Sequence, residues 1–259
     1  MKLSAIVITH NEESTIKRCL ASVAFADEII VVDSGSTDKT LSIARSAGAR
    51  VFEHPWGGFG AQKNYGAQQA TAEWVLFIDA DEEVTSELKQ SIITAVANPA
   101  APDFYWLKIT TVFLGKELRH LYGHNPRLFR RARGQWTEDF VHEQVETVDG
   151  SRIRLGDSLS KLLSSPLMHY SHDTVKSYLS SMERYTDLDA AQMKKTGAHR
   201  SGRAIKPSWT LPWKLAGRQL VKLLFYRRGF LDGPSGLAWS FLSGYYEFRM
   251  AQKYRALCA

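Results

Sequence analysis

Three polar clusters in the first half of the chain carry residue types that can do chemistry, and each directly follows an apolar run. Asp79-Ala80-Asp81 comes straight after Val75-Leu-Phe-Ile78. Two carboxylates at i and i+2 on extended backbone point to the same side. Together they offer hard oxygen ligands to Mg²⁺ or Mn²⁺, whose other positions water and a substrate phosphate would fill. The same residues also suit a plain helix start, with Asp81 or Thr85 as the cap. Asp33-Ser34-Gly35-Ser36-Thr37-Asp38 joins a strand-end carboxylate, a glycine turn and a capping acid. It fits an ordinary strand-turn-helix connection, or a nucleotide site in which Asp33 accepts hydrogen bonds from base or ribose while loop N–H groups face phosphate. The third cluster is Asn11-Glu12-Glu13. There is no Gly-x-x-x-x-Gly-Lys-Ser/Thr loop, and Gly57-Gly58-Phe59-Gly60 does not fit Gly-x-Gly-x-x-Gly. ATP hydrolysis and nicotinamide chemistry therefore lack motif support.

The elements that must position these clusters alternate. Apolar, β-branched strands are predicted over 3–9, 28–33, 50–53 and 74–78, and helices over 14–23, 40–47, 61–69 and 86–97. That alternation predicts βαβ units and a mostly parallel sheet flanked by helices. Right-handed crossovers then bring the loops that follow the strands to one sheet edge, where ligands bind. After Pro102 the pattern changes to strands over 104–114, 127–131 and 144–155, the last with a turn at Asp149-Gly150. A helix over 174–195 and a Gly/Ser/Pro linker over 197–212 follow.

The 259 residues are 44% hydrophobic and 23% charged, an ordinary globular balance that excludes disorder over most of the chain. Cys19 and Cys258 lie almost a chain length apart, so no disulfide framework or cysteine metal site is expected, in keeping with a reducing compartment. The opening apolar run is too short and too soon acidic for a signal peptide, and no stretch is long and uncharged enough to span a bilayer. Charge is unevenly placed. From Lys194 onward there are 13 Lys/Arg against 2 Asp/Glu, a balance of +11, while the preceding 193 residues carry 20 against 25. Such a basic tail seeks an anionic partner. On a helix over 213–225, Lys214, Arg218 and Lys222 stack on one face, with Trp213, Ala216, Leu220, Leu223 and Leu224 opposite. This pattern suits a membrane interface or a helix packed on its own domain; the aromatic content favours membrane over nucleic acid.

Ile-Val-Ile-Thr-His-Asn-Glu-Glu, then Val-Val-Asp-Ser-Gly-Ser-Thr-Asp-Lys-Thr, then Phe-Ile-Asp-Ala-Asp-Glu resemble, in order and spacing over residues 1–98, a family 2 glycosyltransferase with the GT-A fold. Pro126-Arg-Leu-Phe-Arg-Arg131, Asp139-Phe-Val-His-Glu143 and Gly229-Phe-Leu-Asp-Gly233 resemble a narrower branch, the lipopolysaccharide core β-1,4-glucosyltransferases. The resemblance implies inverting transfer of a hexose, glucose in that branch, from a UDP-sugar to an inner-core heptose or similar anionic glycolipid. Other surface polysaccharides or proteins are alternative acceptors. It implies a nucleotide-sugar site of Thr9, Asn11, Glu12, Asp33, Ser34, Gly35, Lys63, Asp79 and Ala80. Asp81 would be the main metal ligand, with Asp79 at the ribose or metal-bound water. Lys63, in Gln62-Lys63-Asn64, would pair with the diphosphate, although a solvated helix lysine is an equal reading. An inverting displacement needs one carboxylate near the acceptor hydroxyl. Asp139 is favoured as that base, Glu143 is its rival, and His142 would orient either. His169 or His172 would add a metal ligand or cap the next helix. The organisation implied is a GT-A catalytic domain over 1–195, split at 98/99 into nucleotide-sugar and acceptor halves, and a basic helical tail over 196–259. Its expected location is cytoplasmic, peripheral on the inner membrane face. A nucleotidyltransferase would carry a Gly-rich basic loop where His10-Asn-Glu-Glu13 is acidic. A non-catalytic membrane binder retaining the fold would have no need of Asp33, Asp79, Asp81 and Asp139 together.

Overall fold

The computed structural model of the protein describes residues 2–137 and 143–258. Two compact units divide it: the chain up to Ile109 with Gly123–Tyr170, and Thr110–Tyr122 with Ser171 onward.

The first unit begins with the predicted alternation: β1 (Leu3–Thr9), α1 (Ile16–Ser22), β2 (Glu28–Asp33), α2 (Thr40–Ser46), β3 (Arg50–Glu53), α3 (Phe59–Gln69) and β4 (Trp74–Asp79). β5 (Glu82–Val84) and α4 (Ser86–Ala97) follow, then β6 (Phe104–Phe113), whose end from Thr110 belongs with β7 (Lys116–Glu117) to the second unit, and β8 (Gly123–Arg130), β9 (Gly134–Trp136), β10 (Val145–Thr147) and β11 (Ser160–Tyr170). The main sheet runs β3-β2-β1-β4-β8-β6-β11-β5, with β7 on β6. Its first four strands are parallel, and β8 joins β4 antiparallel. All seven residues of β1 are buried, as a strand covered on both faces requires. α3 lies so close on the sheet that a Cβ on Gly66 would stand 2.5 Å from Ile6 Cγ2, so only glycine fits there. Thr85, not Asp81, caps α4, its hydroxyl accepting the Leu88 N–H at 3.2 Å.

The parallel half matches the sequence pattern closely. Residues 144–155 do not form one long strand. Only Val145–Thr147 pairs, with Gly134–Trp136, and the turn beyond it closes through a Glu146–Arg152 bridge. β5 and β11 are new: the three residues of β5 lie opposite Leu167, Met168 and His169 of β11. Neither has a clean period, since β11 mixes Ser, Leu, Lys and Pro166; β11 is a strand because it lies between β6 and β5, and β5 because it pairs with β11.

The second unit is helical: α5 (Val175–Thr196), α6 (Leu211–Val221), a π-turn at Lys222–Tyr226, a 3₁₀ turn at Gly229–Asp232 and α7 (Gly233–Cys258). Thr174 caps α5 and left-handed Gly197 ends it. One cluster packs Ala190 and Met193 of α5 with Leu211, Met250, Ala251 and Tyr254, and another joins Phe113, Leu118 and Leu121 to Tyr178 and Met182. α6 differs from its helical-wheel expectation. Leu220 and Leu223 turn inward, with Leu220 beside Gly244 of α7, but Trp213 lies on the exposed arc with Lys214 and Arg218. The buried arc is set by α7, and Trp213 sits at its margin, its ring edge-on to Phe248 at 4.7 Å. Among the described residues no helix is long and apolar enough to cross a membrane.

Glu28 ties the start of β2 to its neighbours. Its carboxylate accepts the Ser4 hydroxyl at 2.5 Å, the Thr71 N–H at 2.6 Å and an Arg50 N–H at 2.7 Å. Burial alone would raise its pKa, but these bonds hold it at about 2 against an ordinary 4.5. A depressed carboxylate stabilises fully above the unfolded value and loses that contribution as pH falls toward the folded one. Glu28→Gln is expected to cost about 2 kcal/mol at neutral pH. Urea denaturation across a pH series should show the wild type losing this advantage between about pH 4.5 and 2.

Candidate functional site

Strand register sets two of the sequence clusters on either side of β1. Thr9 lies opposite Asp33 and Ile8 opposite Asp79. The two carboxylate-bearing strand ends are therefore two strand spacings apart, roughly 10 Å.

On the β2 side the loop is organised from within. Asp33 is fully buried; its Oδ2 accepts the Gly35 and Ser36 N–H groups at 2.9 and 2.8 Å, and its Oδ1 the Ser36 hydroxyl at 2.5 Å. Gly35 adopts φ +95°, which needs glycine. Asn11, left-handed at φ 56°, donates its N–H to Ser36 Oγ and accepts the Thr37 N–H on Oδ1, both at 2.8 Å. The Glu12 N–H reaches Thr40 Oγ1 at 2.7 Å, and Glu12 Oε2 accepts the Thr15 hydroxyl at 2.6 Å. Burial pushes the Glu12 carboxyl up, against the lowering effect of Thr15. The Ser34 N–H donates to the Thr9 carbonyl at 3.1 Å. Thr9 Oγ1 is buried without a hydrogen-bond partner among the described residues. Thr9, Asn11, Glu12, Asp33, Ser34 and Gly35 are thus brought together, with Asp33 as organiser of its own loop.

On the β4 side a cluster of buried charge forms. Arg127 of β8, 5% exposed, holds Asp79 with two nitrogens, Nη2–Oδ2 at 2.6 Å and Nη1–Oδ1 at 3.2 Å. Nη2 also donates to Glu82 Oε1 at 3.1 Å, while Glu82 Oε2 accepts the Asp79 N–H at 2.8 Å. Lys63 of α3, 2% exposed, bonds Glu143 Oε1 at 2.5 Å and lies 3.6 Å from Asp79 Oδ1, its ammonium 4.4 Å from the Trp136 ring centre. Gln62 and Asn64 beside it are structural: Gln62 donates to the His54 and Pro55 carbonyls, and Asn64 brackets Trp136 through both backbone groups. Burial would raise the Asp79 pKa, but Arg127 and Lys63 drive it down. Burial raises Glu82 to about 7, with the Asp79 charge adding and Arg127 opposing.

Asp81 stands apart from these cations. Its Oδ2 meets His169 Nε2 of β11 at 3.1 Å, and both side chains stay about 30% exposed. Burial would lower the His169 pKa, yet the Asp81 carboxylate beside it lifts it to about 9. The register opposing His169 to Glu82, with the Tyr170 N–H on the Asp81 carbonyl at 2.9 Å, fixes this pair. His172 lies in the second unit, its ring edge-on to Tyr178. Asp139 and His142 lie outside the described residues. Ala80 is buried between the two aspartates. Among the described residues no group of three or more His, Cys, Asp or Glu is arranged to hold a metal ion. Asp81 and His169 are the pair left open to one that takes its other ligands from a substrate and water.

Arg127 and Glu82 are the members that sequence reasoning missed. The signal was an arginine inside the apolar strand run Pro126-Arg-Leu-Phe129, where a buried cation must find carboxylates. Removing it leaves the buried Glu82 without its cation and Asp79 with Lys63 alone, which costs about 3–5 kcal/mol. Arg127→Met is expected to destabilise the protein by that amount in urea denaturation, and Glu82→Gln in the same chain should restore part of the loss, a coupling that a double-mutant cycle measures.

The family model for glycosyl transferase family 2 matches residues 4–150. An uncharacterized glycosyltransferase of Rickettsia typhi is 31% identical, the alignment covering 99% of this chain and 87% of the relative. The lipopolysaccharide core biosynthesis glycosyltransferase LpsC of Rhizobium meliloti is 26% identical over 94% of this chain and 90% of its own. Among solved structures, S. aureus TarS 1-349 in complex with UDP-GlcNAc superposes with a TM-score of 0.50 at 18% identity, covering 99% of this chain and 90% of that one. That last likeness is one of fold, and the fold is GT-A.

Proposed function

The chain belongs to glycosyl transferase family 2, and from that premise we propose that it moves a hexose, glucose by sequence resemblance, from a UDP-sugar to an anionic glycolipid of the lipopolysaccharide inner core. The likeness to LpsC over nearly the whole chain supports the acceptor class. The observation that carries the donor half is the division of labour within Asp-Ala-Asp. Asp79, 32% exposed, is bonded by Arg127 and lies beside Lys63, whereas Asp81, 30% exposed, has His169 as its charged partner among the described residues.

The Asp81–His169 pair fits a divalent ion. Asp81 Oδ2 and His169 Nε2 share a hydrogen bond at 3.1 Å, and a metal ion bound there would take the place of the proton between them. One carboxylate and one imidazole would hold Mg²⁺ or Mn²⁺, and the ion would supply Lewis-acid stabilisation of the departing diphosphate. The chain's own groups do the rest. The loop organised by Asp33 holds uridine as a preformed surface, its turn N–H groups being spent on Asp33, Thr9 and Asn11. Asp79, fixed by Arg127, faces the ribose. Lys63 supplies positive charge where the diphosphate develops its own. In the inverting displacement the acceptor oxygen bonds to the anomeric carbon, the bond to the diphosphate breaks with its electron pair leaving on phosphate oxygen, and a carboxylate takes the acceptor proton. Asp139 is that base; the rival Glu143 has one oxygen committed to Lys63.

The reading is tested by incubating purified protein with a panel of UDP-sugars under Mn²⁺, Mg²⁺ or EDTA. Slow UDP release from one sugar, abolished by EDTA and reduced about 100-fold in Asp81→Ala, is the expected outcome. No release, together with no metal-dependent UDP binding by calorimetry, overturns it. With acceptor present, Asp139→Asn should lose about 100-fold or more in kcat and retain UDP binding, while Glu143→Gln loses less; the reverse ranking would make Glu143 the base.

A further inference from the structure

The second unit carries an exposed surface that includes none of the residues of the candidate site. On α6 and the π-turn, Trp213, Gly217, Val221 and Phe225 recur at i+4 and all face solvent, with Trp213 66% and Phe225 69% exposed. Beside that row runs a second one, Lys214, Arg218 and Lys222, equally exposed. Tyr226, 90% exposed, ends both rows. Among the described residues none of the three cations has a carboxylate within salt-bridge distance. From Trp209 to Leu231 the chain has five Lys/Arg and no Asp or Glu. α7 runs antiparallel to α6, Gly244 lying near Ala216 and Leu220, and adds exposed Phe241 and Tyr245; the Trp213–Phe248 contact joins the two helices.

A helix packed on its own domain turns its apolar side inward and leaves water a polar one. α6 does the first, through Leu220 and Leu223, and then leaves aromatic side chains in water as well. A contiguous aromatic surface of this kind marks an interaction site. The cations beside it select an anionic partner, and the parallel apolar row selects one with a hydrocarbon interior, since aliphatic Val221, 58% exposed, gives a nucleobase no ring to stack on and is covered by acyl chains. Aromatic rings with a polar edge settle at the headgroup boundary, with Lys and Arg reaching to phosphate. We propose that the solvent face of α6 and its π-turn is an interfacial anchor that inserts Trp213, Val221 and Phe225 into an anionic lipid leaflet while Lys214, Arg218 and Lys222 bind its headgroups. This goes beyond the transferase reading and does not depend on it.

The test is co-sedimentation of the full chain with vesicles of phosphatidylcholine alone and of phosphatidylcholine mixed with phosphatidylglycerol. Binding to the mixed vesicles is expected to exceed that to the neutral ones by about tenfold or more. Trp213→Ser with Phe225→Ser, and separately Lys214→Gln with Arg218→Gln and Lys222→Gln, should each weaken it by about tenfold or more. Every altered side chain is exposed, and circular dichroism with UDP calorimetry on the same samples separates lost anchoring from lost folding or lost donor binding. Three outcomes overturn the proposal: equal binding to both vesicles, binding untouched by either set of substitutions, or sedimentation velocity showing wild-type dimers that the double serine variant abolishes, in which case a second copy covers the face. Preference for single-stranded RNA over anionic vesicles at physiological salt overturns it as well.

Discussion

A buried guanidinium holds the candidate site in place. Arg127 enters on an apolar strand, and a cation there is tolerable only if carboxylates meet it. It takes Asp79 with two nitrogens and Glu82 with one of them. The ion pairs lift the arginine pKa further, against the lowering effect of burial. The arrangement fixes the end of β4 and the start of β5 relative to β8. It also gives the two aspartates different partners: Asp79 meets Arg127 and Lys63, and Asp81 meets His169. Lys63 extends the same logic, linking Asp79 to Glu143 through one buried ammonium.

The other strand end works differently. Asp33 satisfies its own loop, and the loop from β1 interlocks with it through Asn11, Glu12 and Ser34. No cation is involved. The result is a preorganised turn whose N–H groups are taken up by Asp33, Thr9 and Asn11, beside a site dominated by paired charge.

The second unit is held by its own cores and by a buried polar network. The Tyr246 hydroxyl donates to Asp189 at 2.6 Å, while Glu247 meets Arg200 at 2.5 Å and His199 at 3.0 Å. Burial would raise the Glu247 pKa, but the bonds from His199 and Arg200 bring it below the usual range. These bonds anchor the start of the Gly/Ser/Pro linker to α7, which gives α6 a fixed surface to pack on and so decides which of its sides remains in water.

The sequence by itself determined the parallel half of the sheet, because buried βαβ strands must be continuous apolar runs and their connecting helices must be amphipathic. It also determined the clustering of Asp33, Asp79 and Asp81 beyond strand ends, since parallel strands deliver their following loops to one edge. The family follows from the same motifs. Three features belonged to tertiary structure alone. β5 and β11 have no period of their own and are strands only because they pair, so nothing local places His169 against Asp81. The different partners of Asp79 and Asp81 depend on Arg127, which is 46 residues from Asp81 in the chain and adjacent to the cluster only through the β4–β8 ladder. The exposed face of α6 was set by where α7 lies, because a wheel drawn on one helix shows its faces but not which of them a neighbour will cover.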